Sequence, residues 1–393
     1  MPLKLFSFFS GSGLLDLGFE RAGFELQFVN EYSQDFLYAY QYSREQLNIT
    51  PPTYGYHKTN IEDYSYTKRS ELLDYMTQSS YGGDLIGFIG GPPCPDFSVG
   101  GKNKGSTGNN GKLSLAYINL IISAKPDFFI FENVKGLLST EKHRNFYNEL
   151  KYLLHLNGYC TSDRLLNALE FGVPQDRERI LLFGIKSSLL PVNSSENNEI
   201  LDFPWESNMI DSVKNIKNLD WPDVSIFRQD GKLTPPKKIF LECTVEYWFK
   251  QNNVYNHPNS QHHFQPRNGI SRMLSVDEGD VSRKSFKRLH RWRYSPTAAY
   301  GNNEVHLHPY KARRLSASEV MAIQSLPPEF VLPDGMPLSA MFKTLGNGVP
   351  YQMAFNIALT IKDYLHDTTM KRSDFIGVHD RRSEKGCELT NTA

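Results

Sequence analysis

The 393-residue chain has only four cysteines (Cys94, Cys160, Cys243 and Cys387), and they are widely scattered. They form neither a disulfide framework nor a Cys-x-x-Cys metal pattern, which points to a reducing compartment, the cytoplasm. No apolar run approaches the roughly 18 residues of a membrane span, so no membrane association is expected. The N-terminus carries no signal-peptide pattern, because Lys4 lies inside a strand-like run with no cleavage site after it. An excess of one charge is also missing: 43 Lys and Arg balance 43 Asp and Glu. A basic surface, if present, is therefore local. No internal repeat is visible. What remains is ordinary globular composition, 39% hydrophobic, in a chain long enough for a full core and two domains.

The first half alternates apolar runs with helical patterns, the signature of an α/β protein. Strands are predicted at Leu3–Phe9, Gln27–Asn30, Asp84–Ile89, Phe128–Phe131 and Ile180–Ile185. Helices are predicted at Leu14–Ala22, Leu115–Ala124 and Arg144–Leu156. After Lys186 the composition shifts to Asn, His, Trp, Pro and Arg with little periodicity, which marks 190–305 as a second domain or large insertion. Helical periodicity returns at Ser316–Gln324 and Tyr351–Tyr364. The polar stretch 367–393 is expected to be a loose tail.

The most informative segment is Gly90-Gly91-Pro92-Pro93-Cys94-Pro95-Asp96-Phe97-Ser98. It places a thiol in a proline-stiffened loop at the C-terminal edge of a buried strand, where open α/β sheets bind ligands. A lone cysteine is more often inert core, so its company decides. Phe9-Ser10-Gly11-Ser12-Gly13 joins the first strand to the first helix. Glycines there permit a tight turn and close ligand approach, and the helix start offers free amides. Asp16 stands where a dinucleotide fingerprint would have its third glycine. Glu31, closing the second strand, can take two ribose hydroxyls, and Tyr32 can cover an adenine. Together they suggest an adenosine ligand without pyrophosphate. Glu132 ends the fourth strand candidate, where burial would favour its protonated form and a general-acid role. Arg177 and Arg179 alternate onto one side of the extended segment that follows Gln175.

These motifs, in order, resemble the DNA (cytosine-5)-methyltransferases of bacterial restriction–modification systems. Phe9–Gly13, Glu31-Tyr32, Gly90–Ser98, Glu132-Asn133-Val134, Gln175–Arg179, Arg313-Arg314-Leu315-Ser316 with Glu319 and Gln324, and Gly346–Pro350 match successive family motifs. The resemblance implies a doubly wound, mostly parallel, Rossmann-like sheet domain over 1–189 and 306–366, with a smaller irregular target-recognition domain over 190–305. It implies S-adenosyl-L-methionine as cofactor and no metal. Phe9, Gly11, Ser12, Gly13, Glu31, Tyr32, Asn60, Ile61, Pro93, Leu113, Asn347 and Val349 would line the cofactor site. Asn60 stands where the family commonly has Asp, Leu14 where it often has Gly, and Pro95-Asp96 where it usually has Gln and a small residue.

Cys94 would add to cytosine C6, Glu132 would engage N3 and the exocyclic amine, and Arg179 would hold O2. Arg177 would order Glu132 and nearby backbone. The partner would be double-stranded DNA with one cytosine flipped out, the protein acting as a monomer near the nucleoid. A separate restriction endonuclease would be its functional counterpart. Ser98 and the stretch 100–111 would close over DNA. Arg267, Asn268, Arg283, Lys284, Lys287, Arg288, Arg291 and Arg293 would contact it, the last six in a run without acidic residues. RNA methylation, or DNA binding without catalysis, are the alternatives.

Overall fold

Leu3 and Leu5 turn to one face of the first strand and Phe6 and Phe8 to the other, and all four are buried. A strand apolar on both faces calls for helices above and below it. The computed structural model, which describes residues 2–93, 109–266, 269–283, 285–298 and 305–384, has that arrangement. Cys94, Ser98, Arg267, Asn268 and Lys284 lie outside the described residues, as do 100–108 of the glycine-rich stretch. Its end, 109–111, opens a helix instead of a loop.

The main sheet contains β1 (Leu3–Phe8), β2 (Glu25–Asn30), β3 (Tyr56–His57), β4 (Leu85–Gly90), β5 (Phe128–Val134), β6 (Tyr159–Asn167), β8 (Glu178–Lys186), β9 (Ser195–Glu196) and β10 (Glu199–Ile200). The short β7 (Gln175–Asp176) lies outside it. Its order is β3-β2-β1-β4-β5-β8-β6-β10-β9. The first five strands run parallel. β8 runs antiparallel to both neighbours, β5 and β6. The sheet is thus the expected doubly wound, mostly parallel one.

In the first half the helices are α1 (Leu14–Arg21), α2 (Gln34–Gln46), α3 (Arg69–Ser79), α4 (Asn109–Ala124) and α5 (Glu141–Leu156). Then follow α6 (Val213–Lys217), α7 (Val245–Gln251), α8 (Ile270–Leu274), α9 (Ala317–Ile323), α10 (Leu338–Asn347) and α11 (Tyr351–Glu384). One face of the sheet packs Leu3, Leu5, Phe128 and Ile130 against α1 and α11, through Phe19, Ala354, Ile357 and Ile361. The other packs Phe6, Phe8, Phe129 and Phe131 against α3, α4 and α5, through Leu72, Ile118, Ile121 and Leu150. Phe128 fits because β4 carries Gly87 beside it; a Cβ there would come 2.1 Å from the ring.

The return of the C-terminal helix to the first strand region is as expected, but its length is not. Helix α11 continues through Glu384, where a loose tail was predicted from 367. No proline interrupts 351–384, so once nucleated the helix has no strong stop signal there despite its polar sequence.

A third core joins α1, α2, α7, α9 and α10, through Leu14, Leu17, Ala39, Phe249, Val320 and Leu345. It ties part of 190–305 to segments on either side of it. Two short pairings add to this. β11 (Lys287–Arg288) pairs with β13 (His306–Leu307), and β12 (Ser295–Pro296) with β7.

Candidate active site

The parallel strands β1, β2, β4 and β5 all end at one edge of the sheet, and antiparallel β8 begins there, with Val134 opposite Arg179. This is the edge at which open α/β sheets bind ligands. Two sub-sites form along it.

The first is the turn after β1. Gly11 and Gly13 adopt φ of 59° and 79°, left-handed values that cost glycine little. Gly13 is also crowded, since a Cβ would lie 2.4 Å from the Tyr40 ring. The Gly11 amide donates to Glu31 Oε2 at 2.9 Å, and the Ser33 amide to Oε1 at 2.7 Å. Burial pushes the Glu31 carboxyl above its ordinary range, while these amides pull against it. Tyr32 beside it is 71% exposed, a free aromatic face. Phe9, at φ 53°, sets its ring edge-on to Tyr117.

Ser12 is buried and accepts a bond from Thr344 Oγ1 at 2.9 Å, which joins the turn to α10. Asn347 and Val349 follow at the end of α10, the first exposed and the second buried. Ile61 is buried, Leu113 half-buried and Pro93 exposed. Asn60 caps the short helix after it by accepting the Glu62 amide, so one lone pair of its Oδ1 is occupied.

The second sub-site is a buried ion pair. Arg179 Nε lies 2.8 Å from Glu132 Oε1, with each side chain only 10% exposed. Burial pushes the Glu132 carboxyl above its usual range, and Arg179 and Arg177 oppose that shift. Burial likewise lowers the Arg179 guanidinium, which Glu132 opposes. Both partners shift toward neutrality, which a carboxyl needs in order to donate a proton. Gly91 opens the space for it: a Cβ at 91 would lie 2.6 Å from Glu132 Oε2.

Arg177 holds backbone beside the site. Its Nη2 donates to the carbonyls of Gly346 at 2.8 Å and Asn347 at 3.2 Å. Its charge also opposes the rise of the Glu132 carboxyl. Gln175 donates to Gln324 Oε1 at 2.9 Å and accepts the Ala298 amide at 2.9 Å. Gln324 in turn donates to the Leu345 carbonyl. Gln175, Arg177 and Gln324 therefore fasten the end of α10, and with it Thr344 and Ser12, to the strand edge that carries Arg179.

The sequence pattern of C-5 cytosine-specific DNA methylases matches residues 3–363. The chain belongs to that family. It is a DNA cytosine-5-methyltransferase. The Type II methyltransferase M.NmeDI of Neisseria meningitidis serogroup C is 52% identical over 365 residues, 92% of this chain and 84% of that one. M.FnuDI of Fusobacterium nucleatum is 30% identical, over 93% of this chain and 96% of its own. The solved structure of the S. pombe Dnmt2 methyltransferase shares the fold, with a TM-score of 0.58 at 12% identity over 93% of this chain and 99% of that one.

In this methyltransferase two of the basic residues in the run 283–293, Arg288 and Arg291, are buried rather than open to solvent. Arg288 is wholly buried. Its guanidinium donates to the carbonyls of Val276, Met273, His308 and Lys311 at 2.5–3.0 Å. Arg291 is buried in a two-pronged pair with Glu278, at 2.8 Å on each side. Both are internal struts: a buried guanidinium needs partners for its donors, and Arg288 makes four such bonds while Arg291 makes two to Glu278 and one to the Gly231 carbonyl. Arg293 is half-buried and donates to the Pro222 carbonyl at 3.2 Å, and Lys287 is half-buried in β11. Arg283 is exposed and pairs with Asp280 at 3.5 Å.

His257 is likewise internal, facing the Phe330 carbonyl. Among the described residues no group of three His, Cys, Asp or Glu is arranged for a metal, and no helix is long and apolar enough to cross a membrane.

Sequence reasoning missed Thr344, and it missed Arg44. Arg44 lies fully buried in α2, donates to the Gly13 carbonyl at 2.7 Å and pairs with Glu20 at 2.8 Å. An arginine in an amphipathic helix carries no local signal that it faces inward.

Proposed function

We propose that this methyltransferase transfers a methyl group from S-adenosyl-L-methionine to C5 of a cytosine flipped out of a specific double-stranded DNA sequence, through a Cys94–C6 adduct. The observation that carries the reading is the buried Glu132–Arg179 pair at the same sheet edge as the glycine-rich turn.

The residues present suit the cofactor. The Glu31 carboxylate is oriented by two amides and keeps lone pairs for ribose hydroxyls. The exposed Tyr32 ring offers a stacking face. The free amides at the start of α1 suit a carboxylate. S-adenosyl-L-methionine, when bound, supplies an electrophilic sulfonium methyl.

The chain's own residues do the rest. The Cys94 thiolate adds to C6, and the C5=C6 electrons move so that N3 takes a proton from Glu132. Arg179 steadies the O2 side of the ring. C5 is then electron-rich and positioned as the nucleophile toward the sulfonium methyl that the bound cofactor would supply, the S–CH3 bonding electrons remaining on its sulfur. Water takes the C5 proton, C5=C6 re-forms, Cys94 departs as thiolate, and N3 returns its proton to Glu132. A cytosine stacked in a duplex cannot admit a thiol to C6, which is why extrusion is part of the proposal. Its place beside a separate restriction endonuclease, as protector of host DNA, follows by likeness to the Type II methyltransferases.

The test is transfer of labelled methyl from the cofactor to unmethylated genomic DNA, followed by bisulfite sequencing, with Cys94→Ala in parallel. Label at C5 in one short repeated sequence, absent in the variant, supports the proposal. Label elsewhere than cytosine C5, or label that survives the substitution, refutes it.

A further inference from the structure

The basic residues found buried are anchors for something else. Residues 225–233 form an irregular loop pinned at several points along its backbone. Ser225 bridges to Glu278. The Phe227 amide donates to Asp277 at 3.0 Å, and the Phe227 ring lies 3.7 Å beneath the Arg288 guanidinium. The Asp230 amide donates to the Tyr310 carbonyl at 2.8 Å. Arg291 donates to the Gly231 carbonyl at 2.6 Å, and the Trp292 indole to the Leu233 carbonyl at 3.0 Å. The tip is a tight turn: Gly231 N donates to Arg228 O at 3.0 Å, Asp230 sits at φ 54°, and a Cβ on Gly231 would lie 2.9 Å from the Arg228 Cβ.

The backbone of this loop is thus held at several points, while the side chains at its tip are exposed. Arg228, Gln229 and Lys232 are exposed, and no side-chain hydrogen bond or ion pair is found for any of them among the described residues. Three polar side chains with their donors uncommitted on a fixed backbone have no internal purpose that justifies the fixing. Arginine and glutamine present the forked donor and acceptor geometry that matches guanine and adenine edges, and lysine suits a phosphate. The support is continuous with the catalytic edge. From Arg291 and Trp292 the chain runs to Ser295, which pairs with Gln175, two residues before Arg177 and four before Arg179.

We infer that the 227–232 turn is a DNA-reading element, with Arg228 and Gln229 contacting base edges and Lys232 a phosphate. This rests on the DNA-methylation reading above. It moves sequence recognition from the 283–293 run, which supports the turn, to the turn itself.

The test uses the full chain with Arg228→Ala, Gln229→Ala and Lys232→Ala. The readouts are bisulfite sequencing of methylated genomic DNA, kcat/KM for DNA, the salt dependence of DNA binding, and KM for the cofactor. Arg228→Ala and Gln229→Ala are expected to relax the methylated sequence at one base position and to lower kcat/KM for DNA about tenfold or more. Lys232→Ala is expected to weaken all sequences alike and to reduce the salt slope by about one. KM for the cofactor stays as in the wild type. An unchanged methylated sequence in both the Arg228 and Gln229 variants overturns the inference, whether or not affinity falls. No transfer to DNA by the wild-type protein is a separate result that removes the functional reading itself.

Discussion

Arg179 Nε stands 2.8 Å from Glu132 Oε1 at the junction of β5 and β8, both side chains nearly closed to solvent. The antiparallel insertion of β8 next to β5 makes this contact, since Arg179 enters from the start of its strand and Glu132 from near the end of its own. A carboxyl so placed can pass a proton to a base ring and take it back. Glu132→Gln keeps the shape and removes the transferable proton, so kcat is expected to fall by about 10²–10⁴. Cofactor affinity, read by calorimetry, stays unchanged. Arg179→Ala strands a buried carboxyl and is expected to cost about 3–5 kcal/mol of stability, read by denaturant unfolding.

Gly91 is the clearance for that carboxyl. Because a Cβ would lie 2.6 Å from Glu132 Oε2, Gly91→Ala is expected to displace the carboxylate while the sheet stays folded. Misplacement of this size costs about 10²-fold in rate. The check is single-turnover methyl transfer beside an unchanged circular dichroism spectrum.

Asp16 and Glu20 share one buried guanidinium, Arg44, below the glycine-rich turn. Desolvation raises the Glu20 carboxyl from its ordinary 4.5 to about 7, against the pull of Arg44. The folded state therefore holds this proton more tightly than the unfolded chain. The stability it contributes is fully present below about pH 4.5 and is lost as pH rises through about 7. Unfolding free energy is expected to carry a negative slope over that window, at most about 1.4 kcal/mol per pH unit from one proton. Glu20→Gln removes that component, which shows as a flatter pH profile relative to wild type.

Arg288 separates a support role from a DNA-contact role. It is buried, with burial lowering its guanidinium to about 10, and it donates to four backbone carbonyls. Arg288→Ala is expected to lose at least about 3 kcal/mol of stability. The salt slope of DNA binding is expected to stay as it was, measured below the unfolding transition.

Much of this was legible in the sequence, and for definable reasons. Leu3–Phe8 and Phe128–Phe131 are apolar on both faces, which marks buried parallel strands. Glu132, Arg179, Glu31 and the turn glycines are short-range features whose positions follow once the strand ends are known. The basic run 283–293 was misleading because charge composition cannot tell a solvated guanidinium from one whose donors meet Glu278 or the carbonyls of Met273 and Val276. Those partners lie 10 or more residues away and come together only through tertiary packing. Arg228 and Gln229 were unremarked for the converse reason: nothing local announces that an irregular loop is pinned at Asp277, Tyr310 and Arg291. Strand β6 and helix α2 escaped because their polar faces break the apolar pattern.

The central claim is covalent catalysis by Cys94, and 5-fluorocytosine tests it most directly. Fluorine at C5 cannot leave as a proton does, so the adduct stalls after methyl transfer. Genomic DNA substituted with 5-fluorocytosine would be incubated with the protein and S-adenosyl-L-methionine, and the complexes digested and analysed by mass spectrometry. The account predicts a denaturation-resistant protein–DNA complex, with the methylated base joined to the peptide containing Cys94, and no complex with Cys94→Ala. A complex that persists in the Cys94→Ala variant would contradict it. So would its absence from wild-type protein that methylates ordinary cytosine.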